Sequence, residues 1–404
     1  MVRVGDLAYH RSMRRLGLVA ALALLGCGPP SPTLEDGLGD DAESTDGSSE
    51  SSTGDTEIDT SGTGNTETES SSTDTDSSST DTDSSSTDSS DTDEDCPTEI
   101  LGMLEIDDQS DLSAFACLEE AQWVYIEGSF SDLSFLSTLT TVEVLNLRNL
   151  PNLTSLESLA SLQQIQELWL RELPALTDLG GLRDDVEMLR LRVGPGTGLQ
   201  SLAMPPGGSQ VLTLYSWDRS DLSILTTTAP PLRALDISSA PLVTDLSPIA
   251  DCCLAQAPEF SLTLAGALGA TALEGLEPFT ILHEFELYDS GTVNALTGLQ
   301  NLSTVEVIQI KTDCSPDAVV SPLVDLHGLE GLTTVVWLNI EELELLTSLA
   351  GLPTGGAAFD SVSFYGNATL DKALIDAWQA TVTIGNLQSC DNLNDQPCEG
   401  FCPQ

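Results

Sequence analysis

Apolar residues recur on a regular grid from about residue 104 to residue 384. The clearest stretch is 142–182, VEVLNLRNLPNLTSLESLASLQQIQELWLRELPALTDLGGL. An apolar-x-apolar pair, Leu145 and Leu147, is followed by leucines at every third position (Leu150, Leu153, Leu156, Leu159, Leu162). The pair then returns as Leu168 and Leu170. Residues two apart share a face in a strand, so each pair predicts a short strand with two side chains turned inward. Set under one another, the pairs are Leu104/Ile106, Val124/Ile126, Leu145/Leu147, Leu168/Leu170, Leu189/Leu191, Leu212/Leu214, Leu235/Ile237, Leu262/Leu264, Phe285/Leu287, Ile308/Ile310, Leu338/Ile340, Val362/Phe364 and Val382/Ile384. Their first members lie 20 to 30 residues apart, with a mean near 23. A sustained period of this length means stacked repeats around one continuous interior, and it predicts a mainly β solenoid of parallel strands. At about 4.8 Å per strand the twelve steps make a stack about 58 Å long.

The coil Leu145-Asn-Leu-Arg-Asn-Leu-Pro-Asn-Leu-Thr-Ser-Leu156 is repeated as Leu168-Trp-Leu-Arg-Glu-Leu-Pro-Ala-Leu-Thr-Asp-Leu179, with Pro151 and Pro174 in step. Residues 235–249, LDISSAPLVTDLSPI, are a looser copy. These units resemble leucine-rich repeats of the receptor L-domain type, over nearly all of the part that can fold. The resemblance implies a right-handed solenoid of parallel strands, used mostly for binding rather than catalysis. One departure is visible. Where such repeats place an asparagine ladder, this chain has Leu150, Leu173 and Ala240. The turn carbonyls then need other donors, which favours a straighter, L-domain-like stack over a regular horseshoe.

Two steps are long. The 27-residue step holds Cys252 and Cys253, and the 30-residue step holds Cys314 with Pro316 and Pro322. Insertions in a solenoid become loops on one face, here pinned by disulfides. Near the end, apolar residues at 370, 374, 377 and 378 have helical spacing, with Thr369 as a candidate cap. A short C-terminal helix, a last strand and a cysteine-rich tail over 390–404 would close the stack, and terminal capping is what such arrays require.

Only residues 96–389 read as solenoid. Residues 1–15 carry Arg3, Arg11, Arg14 and Arg15, residues 16–23 are apolar, and Leu24-Leu25-Gly26-Cys27 follows. A basic start, a short apolar segment and small residues before a cut make a secretory signal over residues 1–27, too short to span a bilayer. Its ending resembles the lipobox of bacterial lipoproteins, which implies a lipid on Cys27 and, with Gly28 following, the outer membrane. The other reading is an ordinary signal peptide with a fortuitous cysteine. Residues 28–95 are Ser/Thr/Asp-rich, with 21 acids and no Lys or Arg. With so little apolar surface they predict a disordered tether, about 50 Å in root-mean-square span. Its Asp-x-Asp pairs lack the glycine and distal glutamate of a calcium loop.

The formal charge is −51, and from residue 96 onward 42 acids face nine Lys and Arg. That balance argues against nucleic acid, which needs clustered cations, and against electrostatic docking on anionic lipid. Leaving Cys27 aside, the eight remaining cysteines form an even set, read as disulfides in an exported chain. Cys96 and Cys117, one coil apart at the start of the stack, are the one pairing assigned. Cys398 and Cys402 lack a second ligand pair for zinc. No Gly-x-Ser-x-Gly or phosphate loop occurs, and His283-Glu284 lacks the second histidine of a zinc protease. The expectation is a non-enzyme without cofactor or metal.

One constellation stands apart. Just after the inward pair stand Arg148, Arg171 and Arg192 on three successive coils, with Arg190 between Leu189 and Leu191. Four of the nine cations thus fall on one stretch of the outward face, interleaved with Trp123, Tyr125, Trp169 and Tyr215. Like charges 4 Å apart at a protein surface repel by about 4 kcal/mol, so anions belong between them. Glu143, Glu167, Glu172 and Glu187 can supply these internally, or the anion is a ligand's, with aromatic faces for a ring. Arginine stacked on an aromatic without any ligand is the third reading. The functional expectation is a lipid-anchored, surface-exposed binding protein for a protein or glycan partner; the alternative is a passive spacer of the cell envelope.

Overall fold

The computed structural model describes residues 96–183, 185–202, 210–226, 232–313 and 319–398. The signal segment with Cys27, the tract 28–95, Cys314, Pro316 and Cys402 lie outside them. Thirteen strands form one sheet: β1 (Glu99–Ile106), β2 (Glu120–Ile126), β3 (Thr141–Arg148), β4 (Gln164–Arg171), β5 (Glu187–Val193), β6 (Val211–Tyr215), β7 (Ala234–Ala240), β8 (Ser261–Leu268), β9 (Ile281–Tyr288), β10 (Thr304–Lys311), β11 (Thr334–Glu341), β12 (Ala358–Tyr365) and β13 (Thr383–Cys390). They pair in chain order, every neighbour parallel, and the sheet is open at β1 and β13. A parallel neighbour cannot be reached by a tight hairpin, and here each connection is a return path of 12 to 22 residues.

The eight residues of β3 show how sequence makes the element. Val142, Leu145 and Leu147 are buried while Glu143, Val144 and Asn146 look outward. The leucines after the strand (Leu150, Leu153, Leu156, Leu159, Leu162) are all buried as well, so one interior is filled from the strand and from the return path of the coil. Each buried leucine contributes about 1.5–3 kcal/mol of transfer free energy.

Two strands sit in a different register from the one the sequence suggests. In β5 the inward pair is Leu191/Val193, in register with Leu168/Leu170, and Leu189 is 58% exposed. Leu189, two residues before Leu191, does not share its face, because Met188 fills the inner position ahead of the pair, as Ile165 does in β4. In β13 the register partners of Val362 and Phe364 are Leu387 and Ser389, and the expected Val382/Ile384 falls at the strand start, with Ile384 opposite Phe359. The polar Ser389 hid that pair.

The turn after the strand is equally regular. Asn149, Glu172, Ser216, Ser239, Asp289, Glu342 and Asp391 all take positive φ at the same place, and Gly266 and Gly366 occupy it in their coils. This left-handed residue turns the chain out of the sheet and carries the ladder one step further. Asn149 N–H donates to the Arg171 carbonyl at 3.1 Å, Asp289 to Lys311 at 3.0 Å and Glu342 to Tyr365 at 2.9 Å. These backbone bonds occur in early and late coils alike, whereas the early coils have Leu150, Leu173 and Ala240 where an asparagine ladder would stand. The ladder itself exists at the other end. Asn367 Nδ2 donates to the Ile340 carbonyl at 3.0 Å and its Oδ1 accepts from Leu343 N–H at 3.1 Å. Asn392 Nδ2 donates to the Phe364 carbonyl at 2.9 Å.

Six of the acidic side chains hold turns. Asp111, Asp132, Asp178, Asp221, Asp245 and Asp325, one per coil, each accept from the N–H two residues on, at 2.8 to 3.1 Å. A carboxylate there satisfies a backbone donor at the start of a tight turn. Serine hydroxyls bonded to Asp111, Asp132, Asp221 and Asp245 hold these carboxyls below their usual range.

The 27-residue step is not a plain loop: helix α1 (Ser247–Cys253) and a following 3-10 turn fill it. Cys252 and Cys253 lie sulfur against sulfur within α1, so neither ties the insertion to another coil, contrary to the expectation. Cys96 bonds to Cys117 as expected, with Cα atoms 5.6 Å apart. At the far end helix α2 (Lys372–Gln379) is capped by Asp371, which accepts from Ala373 N–H at 3.0 Å. Thr369, the expected cap, instead donates to the carbonyls of Glu344 and Leu346 at 2.7 and 2.9 Å. Cys390 bonds to Cys398 in the tail. Among the described residues no helix is long and apolar enough to cross a membrane.

Candidate functional site

The outward face carries three rows of side chains across the sheet, a last row from the residue just after the inward pair, a middle row from between the pair and a third from just before it. In the last row Arg148 and Arg171 are register partners, but the corrected register of β5 puts Gly194, not Arg192, next. Arg192 stands in the middle row beside Trp169, and Arg190 in the third row beside Glu167. The ladder of three arginines is therefore a pair, Arg148 and Arg171, and a second pair, Arg190 and Arg192, one strand further on.

Each arginine meets a carboxylate. Arg148 grips Glu127 through Nε and Nη2, both at 2.7 Å, and Arg171 Nε lies 3.0 Å from Glu172. Glu167 is the hub of the second pair. Its Oε1 is 3.3 Å from Arg190, while Oε2 is 3.3 Å from Arg192 and accepts from Trp169 Nε1 at 2.9 Å. Arg192 also lies over the Trp169 ring, 4.5 Å from its centroid, and Tyr215 meets that ring at 6.3 Å. Glu167 and Glu172 are among the four anions expected from sequence, and Glu127 replaces Glu143 and Glu187. Trp123 is 37% exposed, with Tyr125 6.5 Å away on the same strand. All eight expected side chains are on the outward face, spread over β2 to β6.

The same rows carry a second cluster that the sequence reading passed over. Following Arg148 and Arg171, the last row runs on through Tyr288, Lys311, Glu341 and Tyr365. Lys311 Nζ lies 5.3 Å from the Tyr288 ring centroid, and with the Gln309 amide turned to satisfy both neighbours its oxygen accepts from Lys311 Nζ at 2.8 Å and its nitrogen donates to Glu286 at 2.9 Å. Burial pushes the Tyr288 phenol up to about 12 and raises the Glu341 carboxyl. The signal was available, since each residue stands just after its inward pair, but a mixed row reads less clearly than repeated arginine.

Beside this cluster Glu342, in the left-handed turn after β11, is raised to about 7, first by burial and then by Glu341, Asp391 and Glu344. A carboxyl that ionises more easily unfolded, near 4.5, than folded binds more protons in the native state. Its contribution is intact below about pH 4.5, declines as pH rises towards 7 and is lost above. Glu342→Gln is therefore expected to raise stability at pH 8 by about 1 kcal/mol, allowing for solvent at a half-exposed group, and to change nothing at pH 4. Thermal melts at the two pH values check this: equal gains at both would sink it.

His283, 3.0 Å from Glu306, and His327, 3.4 Å from Glu330, are exposed surface residues. Among the described residues no three metal-ligating side chains converge. No protein-family model matches the chain, and no curated protein matches it by sequence.

Proposed function

We propose that this chain is a lipid-anchored binding protein, held at the outer surface of a bacterial envelope through Cys27. In this reading residues 28–95 are the tether, and a leucine-rich-repeat or L-domain-like solenoid presents its outward face to a protein or glycan. The lipobox-like Leu24-Leu25-Gly26-Cys27 and the acidic spacer support export and anchoring. The period near 23 residues, the left-handed turn at one place in coil after coil and the in-order parallel sheet support the solenoid. Recognition rests on one observation. In a folded part with 42 acids, four of nine cations gather on β3 to β5 among four aromatic side chains. The spacer reading draws support from the ion pairs that Glu127, Glu167 and Glu172 already supply to these arginines.

The triple substitution of Arg148, Arg171 and Arg192 by alanine separates the two. Exposed ion pairs contribute about 0–1 kcal/mol each, so the thermal midpoint should hardly move. Retention of the chain on cell-envelope fractions should fall tenfold or more. Failure of the wild-type chain to bind any such fraction would leave the spacer.

A further inference from the structure

Between β2 and β4 the outward face forms a trough along β3. Its floor is Val144 and Asn146, which stand in register with Trp123 and Tyr125 on one side and with Glu167 and Trp169 on the other. The Trp123 and Tyr125 rings are 6.5 Å apart and inclined by 27°. That distance matches the rise between residues i and i+2 of a strand and is too long for face contact. The two near-parallel rings stand one after the other along the β2 side of β3 and together form one wall. Opposite them, Arg192 covers the face of Trp169 turned towards β5, which leaves the other face turned to β3. The walls spring from strands two spacings apart, about 9.6 Å. A ring-shaped molecule in van der Waals contact with both needs about 7–8 Å. Where β3 ends, Arg148 closes the trough with Arg171 beside it. Arg148 gives Nε and Nη2 to Glu127, and a guanidinium has five N–H donors.

The geometry points to a site for an anionic sugar, a hexuronate-type unit of an acidic polysaccharide, held edge-on between Trp169 and the Trp123–Tyr125 wall with its carboxylate at Arg148. Sugar faces present C–H groups to aromatic rings while their edges present hydroxyls, and the Asn146 amide on the floor both donates and accepts. An acidic peptide would use the arginines but not the two walls. This inference rests on the recognition reading above and names its ligand.

The test uses the full chain with three probes: an oligogalacturonate, its methyl ester and a polyglutamate peptide of matched charge. Oligogalacturonate should bind saturably by calorimetry and change tryptophan fluorescence. Trp169→Ala and Arg148→Ala should each weaken it tenfold or more, as should methyl esterification, with thermal midpoints unchanged. Asn146→Ala is a smaller change on the floor and should weaken it several-fold. Absence of saturable binding overturns the inference, as does indifference to Trp169→Ala. Equal affinity for polyglutamate also overturns it, in favour of an acidic protein segment. Envelope retention that depends on the arginines, without uronate binding, sinks the sugar alone; loss of both sinks the recognition reading too.

Discussion

Replacing Trp378 by alanine is expected to destabilise the C-terminal end of the sheet by about 3–5 kcal/mol, the range for a large aromatic removed from a packed interior. Trp378 is the residue through which α2 closes the stack. Its ring meets Phe359 edge-on at 5.4 Å and Phe364 at 5.8 Å, and its Nε1 donates to the Pro353 carbonyl at 2.9 Å. Alanine leaves a cavity between the last two coils and an unsatisfied buried carbonyl. Because each coil leans only on its neighbours, the loss should be local. Amide hydrogen exchange should accelerate in β11 to β13 while β3 to β7 keep their protection. A uniform loss of protection along the whole sheet would contradict this.

Asn367→Leu should cost nearly as much, although leucine occupies the matching position in coils 3 and 4. Asn367 is 0% exposed and binds two backbone groups of the preceding coil, at Ile340 and Leu343, as well as Asn392 Oδ1 at 3.1 Å. Leucine fills the space but leaves a buried carbonyl and a buried N–H without partners, at about 1–3 kcal/mol each. Chemical denaturation should show a total loss of about 2–6 kcal/mol on that scale. A loss below about 1 kcal/mol would mean that the early-coil arrangement can be adopted here too.

The contrast between Asn367 and Leu150 shows what could be read from the sequence. The strands were legible because a half-buried strand must alternate and the coil must repeat. Eleven of the thirteen inward pairs stand where alternation puts them. The exceptions have physical causes. Leu189 joined an apparent pair although its neighbour Met188 points inward, and Ser389 occupies an inner position at an edge strand where burial is incomplete. The register of β5 then moved Arg192 from the last row to the middle one, which turned a supposed arginine ladder into two pairs. Alternation puts the aromatic side chains on the outward face, yet the hub role of Glu167 depends on which strand lies opposite. Alternation within a strand does not encode that. The ladder asparagines sit three residues beyond the inner pair of β12 and β13, but a misplaced last pair concealed Asn392.

The bond between Cys96 and Cys117 also has a mechanical meaning. Tension entering through the chain ahead of Cys96 would otherwise load β1 one hydrogen bond at a time, the weakest way to pull on a sheet edge. The covalent link sends that load past β1 to the residues just before β2. The first coil is thereby shielded, and peeling from this end has no free strand on which to begin.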